Sequence, residues 1–282
     1  MNDIKALYNE WLEKTKDDEV TQAELKSIAG NEDEILDRFY RNLEFGTAGL
    51  RGVLGAGTNR MNSYTVGQAT QGLADYLNGK YENSSVAIAY DSRIKSDVFS
   101  KQSAQILAAN GIKVYLYKQL MPTPFVSFAV MRLKCQSGIV ITASHNPLEW
   151  NALKFLNNKG LFLGPDDVKK LFELADQDRF DYPDYRTMGS YEVAPDADGI
   201  HIQGTLSIPF VDVEAIRKCK FKVAVDAVNG AGSYIVPRLL EELGCEVVRV
   251  HCKPDGTFPR GAEPIPENLG DLRKAVKDNG CA

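Results

Sequence analysis

Apolar positions recur along this chain with two periods, and the period changes where the elements change. Over the first forty residues Ile4, Leu7, Tyr8, Trp11 and Leu12 share one face of a 3.6-residue repeat, followed by capping-box signatures at Thr21-x-x-Glu24 and Asn31-x-x-Glu34. This pattern predicts a helical preface. The Gly-rich stretch from Gly46 to Gly57 predicts a loop. Val66, Ala69, Leu73, Tyr76 and Leu77 then predict a helix over about 65–77.

From Val86 onward short apolar runs alternate with helical stretches. The runs 86–90, 112–117 and 139–141 predict strands, separated by helices that end near Asn110, with Gly111 as stop, and near Leu133. Crossovers of this kind are right-handed and join parallel strands. Residues 153–156 and 161–163, around Asn157-Asn158-Lys159-Gly160, predict a hairpin, and Gly164-Pro165-Asp166 opens a helix. Residues 177–200, rich in Asp, Tyr, Pro and Gly, predict a connector.

The same grammar then restarts: strand 222–225, turn 226–232, helix 234–243, Gly244, strand 246–250 and helix 269–277. The predicted fold is α/β, with two related three-layer α/β/α domains and mainly parallel mixed sheets. The first is expected over 1–190, with its helical amino-terminal extension, and the second over 191–282. In the first half the third strand leads into Thr142-Ala143-Ser144-His145-Asn146-Pro147. In the second the chain reaches Cys281-Ala282 where the equivalent strand should begin. The second sheet is therefore expected to lack its last strands, as in a chain cut short.

Composition narrows the function classes. At 282 residues, 44% hydrophobic and 25% charged, the chain can bury a sizeable core. A net charge of −5 argues against nucleic acid or an anionic membrane as main partner. No signal-peptide or membrane-spanning run is present, so a cytoplasmic protein is expected. The five cysteines form no Cys-x-x-Cys pair, and Cys245, His251 and Cys252 match no zinc spacing.

Ser144 lies just beyond the apolar run Gly138-Ile139-Val140-Ile141, where ligands of parallel sheets gather. A serine is a poor nucleophile without help. His145 is adjacent, and strand alternation would turn its side chain away from that of Ser144. The nucleophile elbow Gly-x-Ser-x-Gly is absent. Taken alone, Ser144 reads as a turn residue bonding its own backbone. Gly46, Gly49 and Gly52 let backbone amides approach an anion, but no Gly-Lys-Ser/Thr follows as in a Walker loop. Gly230-Ala231-Gly232 reads as a tight turn, and Asp91-Ser92-Arg93 as scaffold of the active face.

Together, Thr142-Ala143-Ser144-His145-Asn146-Pro147, the upstream Gly46-Thr47-Ala48-Gly49-Leu50-Arg51-Gly52 and the downstream Asn151-Ala152-Leu153-Lys154 resemble the α-D-phosphohexomutases, the phosphoglucomutase and phosphomannomutase family. The resemblance covers the whole chain in order. It implies that Ser144 carries a phosphoryl group and, through it, binds Mg2+. It implies transfer of that phosphate to a sugar phosphate, with glucose 1,6-bisphosphate as intermediate and activator. Lys154, ten positions after Ser144, matches the family lysine of acid/base work and phosphate contact. Arg51 matches the arginine that reaches the reacting phosphate. His145 and Asn146 shape the loop and bond substrate, and Thr47 and Gly49 belong to the substrate-binding set. Without the family context, Lys154 reads as a snorkelling strand lysine and Arg51 as a surface loop arginine.

The resemblance implies glucose 1-phosphate and glucose 6-phosphate as the favoured pair. The Phe45-Gly46-Thr47-Ala48-Gly49-Leu50-Arg51 wording points to the branch with phosphopentomutases, leaving ribose and mannose phosphates open. The family's Asp-rich magnesium loop, commonly Asp-x-Asp-x-Asp-Arg, does not occur in this sequence. Little turnover is therefore expected from these residues alone. The rival readings are a non-catalytic sugar-phosphate binding module, an inert truncated product, and a serine hydrolase.

Overall fold

The computed structural model describes residues 2–43, 45–46, 49–177, 190–194 and 197–282. Three helices open the chain: α1 (Asn2–Lys14), α2 (Glu19–Ser27) and α3 (Glu32–Phe39). Their apolar stripes meet in a small core of Tyr8, Trp11, Leu25, Ile28, Ile35 and Phe39. Asn31 caps α3, its side chain accepting from the Glu34 amide, as the capping signature predicts. The cap of α2 is a correction. Asp18, not Thr21, holds that position and accepts from the Thr21 amide at 3.0 Å, because its carboxylate reaches the orphan donors three residues earlier.

The Gly-rich segment is only in part the expected loop, with residues 55–57 irregular and 49–53 a strand. It forms β1 (Phe45–Gly46) and β2 (Gly49–Val53), and β2 runs antiparallel to β6 (Trp150–Asn157) with Gly49 opposite Lys154 and Arg51 opposite Ala152. Backbone pairing satisfies its amides, and small residues let it lie close to its neighbour. Gly49 sits at φ +138°, where a Cβ would fall 2.0 Å from the Leu153 carbonyl oxygen.

Between these strands the chain forms α4 (Ser63–Lys80), β3 (Ser85–Tyr90), α5 (Ser96–Ala109), β4 (Lys113–Tyr117), α6 (Thr123–Arg132) and β5 (Ser137–Ile141). After β6 come α7 (Pro165–Ala175) and β7 (Tyr191–Ala194). The seven strands stand in the order β1-β2-β6-β5-β3-β4-β7, with β5, β3, β4 and β7 parallel and the rest antiparallel. β7 carries the first sheet to Ala194, past the boundary expected at 190. An edge strand of four residues is too short to show a periodicity in the sequence.

Two cores flank the sheet. On one face Leu50, Ile88, Ile139, Leu153 and Phe155 pack against Leu73 and Leu77 of α4, Phe99 and Leu107 of α5 and Leu171 of α7. On the other, Ala87, Ala89, Val140 and Leu156 meet Phe125, Val126 and Val130 of α6. This second core also takes in Ile202 from α8 (Ala197–Leu206) and Ile235 from α10 (Gly232–Glu242). The two halves of the chain are thus joined by buried apolar side chains.

The second half adds α9 (Val213–Cys219), β8 (Lys222–Asp226), β9 (Glu246–Val250) and α11 (Gly270–Asn279). β8 and β9 pair in parallel as a two-stranded sheet among the described residues. The Ala282 amide donates to the Lys222 carbonyl at 2.9 Å, beside β8. The α/β class and the mainly parallel mixed sheet agree with the sequence.

Candidate active site

From β3 the chain crosses through α5 to β4 on one side, and then through α6 to β5 on the other side of β3. Crossovers diverge at that point, so a crevice opens between the carboxyl ends of β3 and β5. Asp91 follows β3 and Ser144 lies three residues past β5, which places both at the crevice.

Ser144 is exposed and adopts φ +56°, a left-handed conformation unusual for a residue with a side chain. Its amide donates to Thr142 Oγ1 at 3.0 Å, and the Asn146 amide to the Ala143 carbonyl at 3.0 Å. Ser144 Oγ lies 3.4 Å from His145 Nδ1. The two side chains therefore do not point apart as strand alternation suggested, because the left-handed turn at Ser144 breaks the period of two.

Arg93 holds this loop from below. Its side chain is buried, and Nη2 donates to the carbonyls of Ser144 at 2.9 Å and Asn146 at 2.6 Å. Nη1 donates to the carbonyls of Pro147 at 2.8 Å and Trp150 at 3.0 Å. Nε has no hydrogen-bond partner, although Asp91 Oδ2 is an ion-pair neighbour at 3.5 Å. Asp91 in turn accepts from the Arg93 amide at 2.9 Å and from Ser96 Oγ at 2.8 Å. Burial pushes the Asp91 carboxyl up, opposed by the Thr142 hydroxyl, the Arg93 amide, Ser96 and the Arg93 charge. Burial likewise draws the Arg93 guanidinium below its ordinary value. Buried charges of opposite sign with many hydrogen bonds persist where the geometry is over-determined.

Arg51 and Lys154 approach the same crevice from adjacent antiparallel strands. Arg51 stands opposite Ala152, two residues from Lys154, so both cations project from one face as diagonal neighbours. Gly49, opposite Lys154, contributes no side chain to crowd it. Arg51 Nη1 lies 3.4 Å from Asn146 Oδ1, a long contact to the serine loop. Lys154 Nζ sits 5.6 Å from the centroid of the Phe162 ring. Burial, reinforced by the Arg51 charge, lowers the Lys154 pKa, and Asp91 opposes the shift. A lysine shifted in this way gives up its proton more readily, as acid/base work requires.

The structure thus brings Ser144, His145, Asn146 and Arg51 together and sets Lys154 on the same sheet face as Arg51. Gly49 is present for a steric reason, its close approach to β6. Thr47 lies outside the described residues. Sequence reading placed Asp91 and Arg93 only as scaffold, and it missed Phe258, whose ring covers the Arg93 guanidinium at 4.9 Å. An aromatic residue inside the Pro- and Gly-containing run Pro254-Asp255-Gly256-Thr257-Phe258-Pro259 was the available signal.

The cleft at this point holds about 270 Å³ and is bounded by Ser92, Thr123, Thr142 and Ser144 on one side and Val228, Ala231 and Phe258 on the other. A bigger groove of about 1270 Å³ runs between α1, α4, α5 and α7, remote from Ser144. Size alone would therefore point away from Ser144. Among the described residues no three His, Cys, Asp or Glu side chains cluster as a metal site, and none of their helices is long and apolar enough to cross a membrane.

Comparison with known proteins places the geometry in context. The family model described as phosphoglucomutase/phosphomannomutase, alpha/beta/alpha domain I, matches residues 42–181, and that of domain II matches residues 201–282. A phosphoglucomutase of Staphylococcus aureus is 34% identical over 86% of this chain and 45% of its own length. A Methanopyrus kandleri protein named "Probable phosphoglucosamine mutase" is 32% identical over 83% of this chain and 49% of its own. A crystal structure of a phosphoglucomutase/phosphomannomutase family protein from Burkholderia thailandensis superposes with a TM-score of 0.65 at 26% identity, over 83% of this chain and 50% of that one. The chain spans about half the length of the curated relatives it matches. With both domain models matched in order across the two sheets, the chain belongs to the phosphoglucomutase/phosphomannomutase family.

Proposed function

We propose that this chain carries the phosphoserine part of a phosphosugar mutase, with Ser144 as the phosphoryl carrier. The observation that supports this best is a left-handed, exposed serine held at the sheet's switch point, with Arg51 reaching its loop at Asn146 and Lys154 on the same sheet face as Arg51. In the forward half-reaction the sugar hydroxyl oxygen forms a bond to phosphorus as the Ser144 Oγ–P bond breaks, and Oγ keeps the electron pair. The bisphosphate then turns over and returns its other phosphate to Oγ. Such transfers need in-line approach and cations around the equatorial oxygens more than covalent help.

Arg51 is assigned to those oxygens, with Asn146 as its neighbour, and Lys154 to phosphate contact and proton transfer at the reacting hydroxyl. His145 stands beside Oγ, and Thr47 and Gly49 are assigned to substrate binding. The substrates are hexose phosphates interconverted between C1 and C6, with glucose preferred. The relatives named for glucose and glucosamine support a hexose. Mannose and pentose phosphates are the alternatives, and glucose 1,6-bisphosphate is the priming donor. A cytoplasmic location fits this chemistry.

Magnesium would supply further positive charge to the transferring group, and it requires hard oxygen donors. Asp91, the buried carboxylate at the crevice, is committed to Arg93 and Ser96. The described residues therefore do not form a magnesium site by themselves, and Ser144, through its phosphate, is the ligand assigned to them. Slow or no mutase turnover is expected from these 282 residues alone.

The test is titration with glucose 1-phosphate by calorimetry. Arg51→Gln and Lys154→Gln should each weaken binding roughly tenfold or more, as lost charge-assisted contacts do. Unchanged affinity in both would contradict the assignment. The 3.4 Å contact between Ser144 Oγ and His145 Nδ1 favours one other reading, a serine hydrolase. Among the described residues no acid orients the other imidazole nitrogen, as a triad requires. Covalent labelling of Ser144 by an organophosphonate would support that reading instead.

A further inference from the structure

We propose that Phe258, in the second α/β unit, is a positioning residue for Ser144, acting through Arg93; this rests on the reading of Ser144 as phosphoryl carrier. Arg93 spends both terminal nitrogens on four carbonyls of the serine loop, those of Ser144, Asn146, Pro147 and Trp150. Guanidinium N–H groups point outward in the plane of the group, so these bonds leave its faces without a partner. The Phe258 ring covers one of those faces, its centroid 4.9 Å from Arg93 Cζ. A cation over an aromatic face gains more when desolvated, and Arg93 is buried.

Phe258 is itself held by the second unit. Arg260 Nε donates to Asp226 Oδ2 at 2.8 Å, a nearly buried pair that ties the segment to the end of β8. The Lys253 amide donates to Asn229 Oδ1 at 2.9 Å, which ties its other end. Between them Gly256 takes φ +84°, and a Cβ there would lie 3.3 Å from the Ser92 carbonyl oxygen. Glycine lets the segment sit directly on the Asp91–Ile94 turn, with Phe258 over Arg93. Any shift of the second unit against the first is thereby passed to the backbone that presents Ser144. The segment touches Arg93 and lines the cleft, so it acts on the position of Ser144 rather than on the phosphate.

Two variants separate the aromatic face from simple burial: Phe258→Leu keeps apolar bulk, and Phe258→Tyr keeps the ring. Hydrogen exchange followed by mass spectrometry should show several-fold faster exchange over 143–150 in Phe258→Leu, with wild-type protection in Phe258→Tyr. Unchanged protection of 85–90 and 137–141 will show the fold intact. In parallel, phosphate uptake at Ser144 from glucose 1,6-bisphosphate with magnesium should be slowed in Phe258→Leu and restored in Phe258→Tyr. Loop exchange or uptake in Phe258→Leu equal to wild type would overturn the proposal. Wild-type protein that takes no phosphate at Ser144 would overturn the carrier reading and the proposal built on it, and the exchange data would still report the mechanical link.

Discussion

The buried guanidinium of Arg93 donates to the carbonyl of Ser144 at 2.9 Å, from a residue fifty-one positions earlier in the chain. The residue presenting the candidate nucleophile is thus fixed through its backbone, leaving its hydroxyl at the surface. Replacing Arg93 with Met would remove four hydrogen bonds to loop carbonyls and leave Asp91 buried without its countercharge. We expect a loss of about 3–5 kcal/mol, the usual result of removing one partner of a buried pair. Urea denaturation measures it, and a loss under about 1 kcal/mol would show that the network bears little load.

Gly49→Ala should cost roughly 3 kcal/mol. It forces a side chain into a positive-φ position and against the Leu153 carbonyl oxygen. Gly79→Ala provides the contrast, because Gly79 lies in α4 with nothing within 4 Å of the added Cβ. That change should stabilise by about 0.5–1 kcal/mol. Equal effects of the two substitutions would contradict the steric account of β2.

Lys154 should titrate below the exposed lysines, and Arg51→Gln should move it back toward them, because burial and the Arg51 charge both depress it. The folded form releases this proton before the unfolded chain does. The unfolded state therefore binds more protons in the window between the folded value and the ordinary lysine value, and stability from this residue grows as pH rises through it. NMR of reductively methylated protein reads the titration directly. A Lys154 signal that follows the exposed lysines would rule the shift out.

His201 gives a second pH signature and does not line the Ser144 cleft. Its ring stacks on Phe125 at 3.8 Å and meets the edge of Phe128 at 4.9 Å, and Nδ1 is buried with no hydrogen-bond partner. Burial lowers its pKa, so the unfolded chain takes up a proton first as pH falls. Its contribution to stability is full above the unfolded value of about 6.5 and is lost as pH falls toward the folded value. His201→Phe should flatten the dependence of Tm on pH in that acid window. An unchanged slope would mean that His201 does not titrate there.

The serine loop was legible in the sequence because a buried strand ending in a polar hexapeptide is a local signal. The parallel strands and their helices were legible for the same reason, each being long enough to show its period. β2 was not, because its glycines are demanded by the neighbouring backbone of β6, which no local pattern records. β7 was too short and lies at an edge. Arg93 could be placed at a strand end but not given its four carbonyl partners, which lie more than fifty residues away. Phe258 was beyond reach for a stronger reason: its partner belongs to the other α/β unit.

Peptide mass spectrometry after incubation with magnesium and glucose 1,6-bisphosphate tests whether Ser144 carries phosphate. One phosphate is expected, on the peptide containing Ser144, and none on that peptide in Ser144→Ala. Stability should change by less than about 1 kcal/mol in that variant, since Oγ contacts only His145 Nδ1. Phosphate absent from the wild-type peptide, or placed on another residue and retained in Ser144→Ala, would contradict the carrier reading.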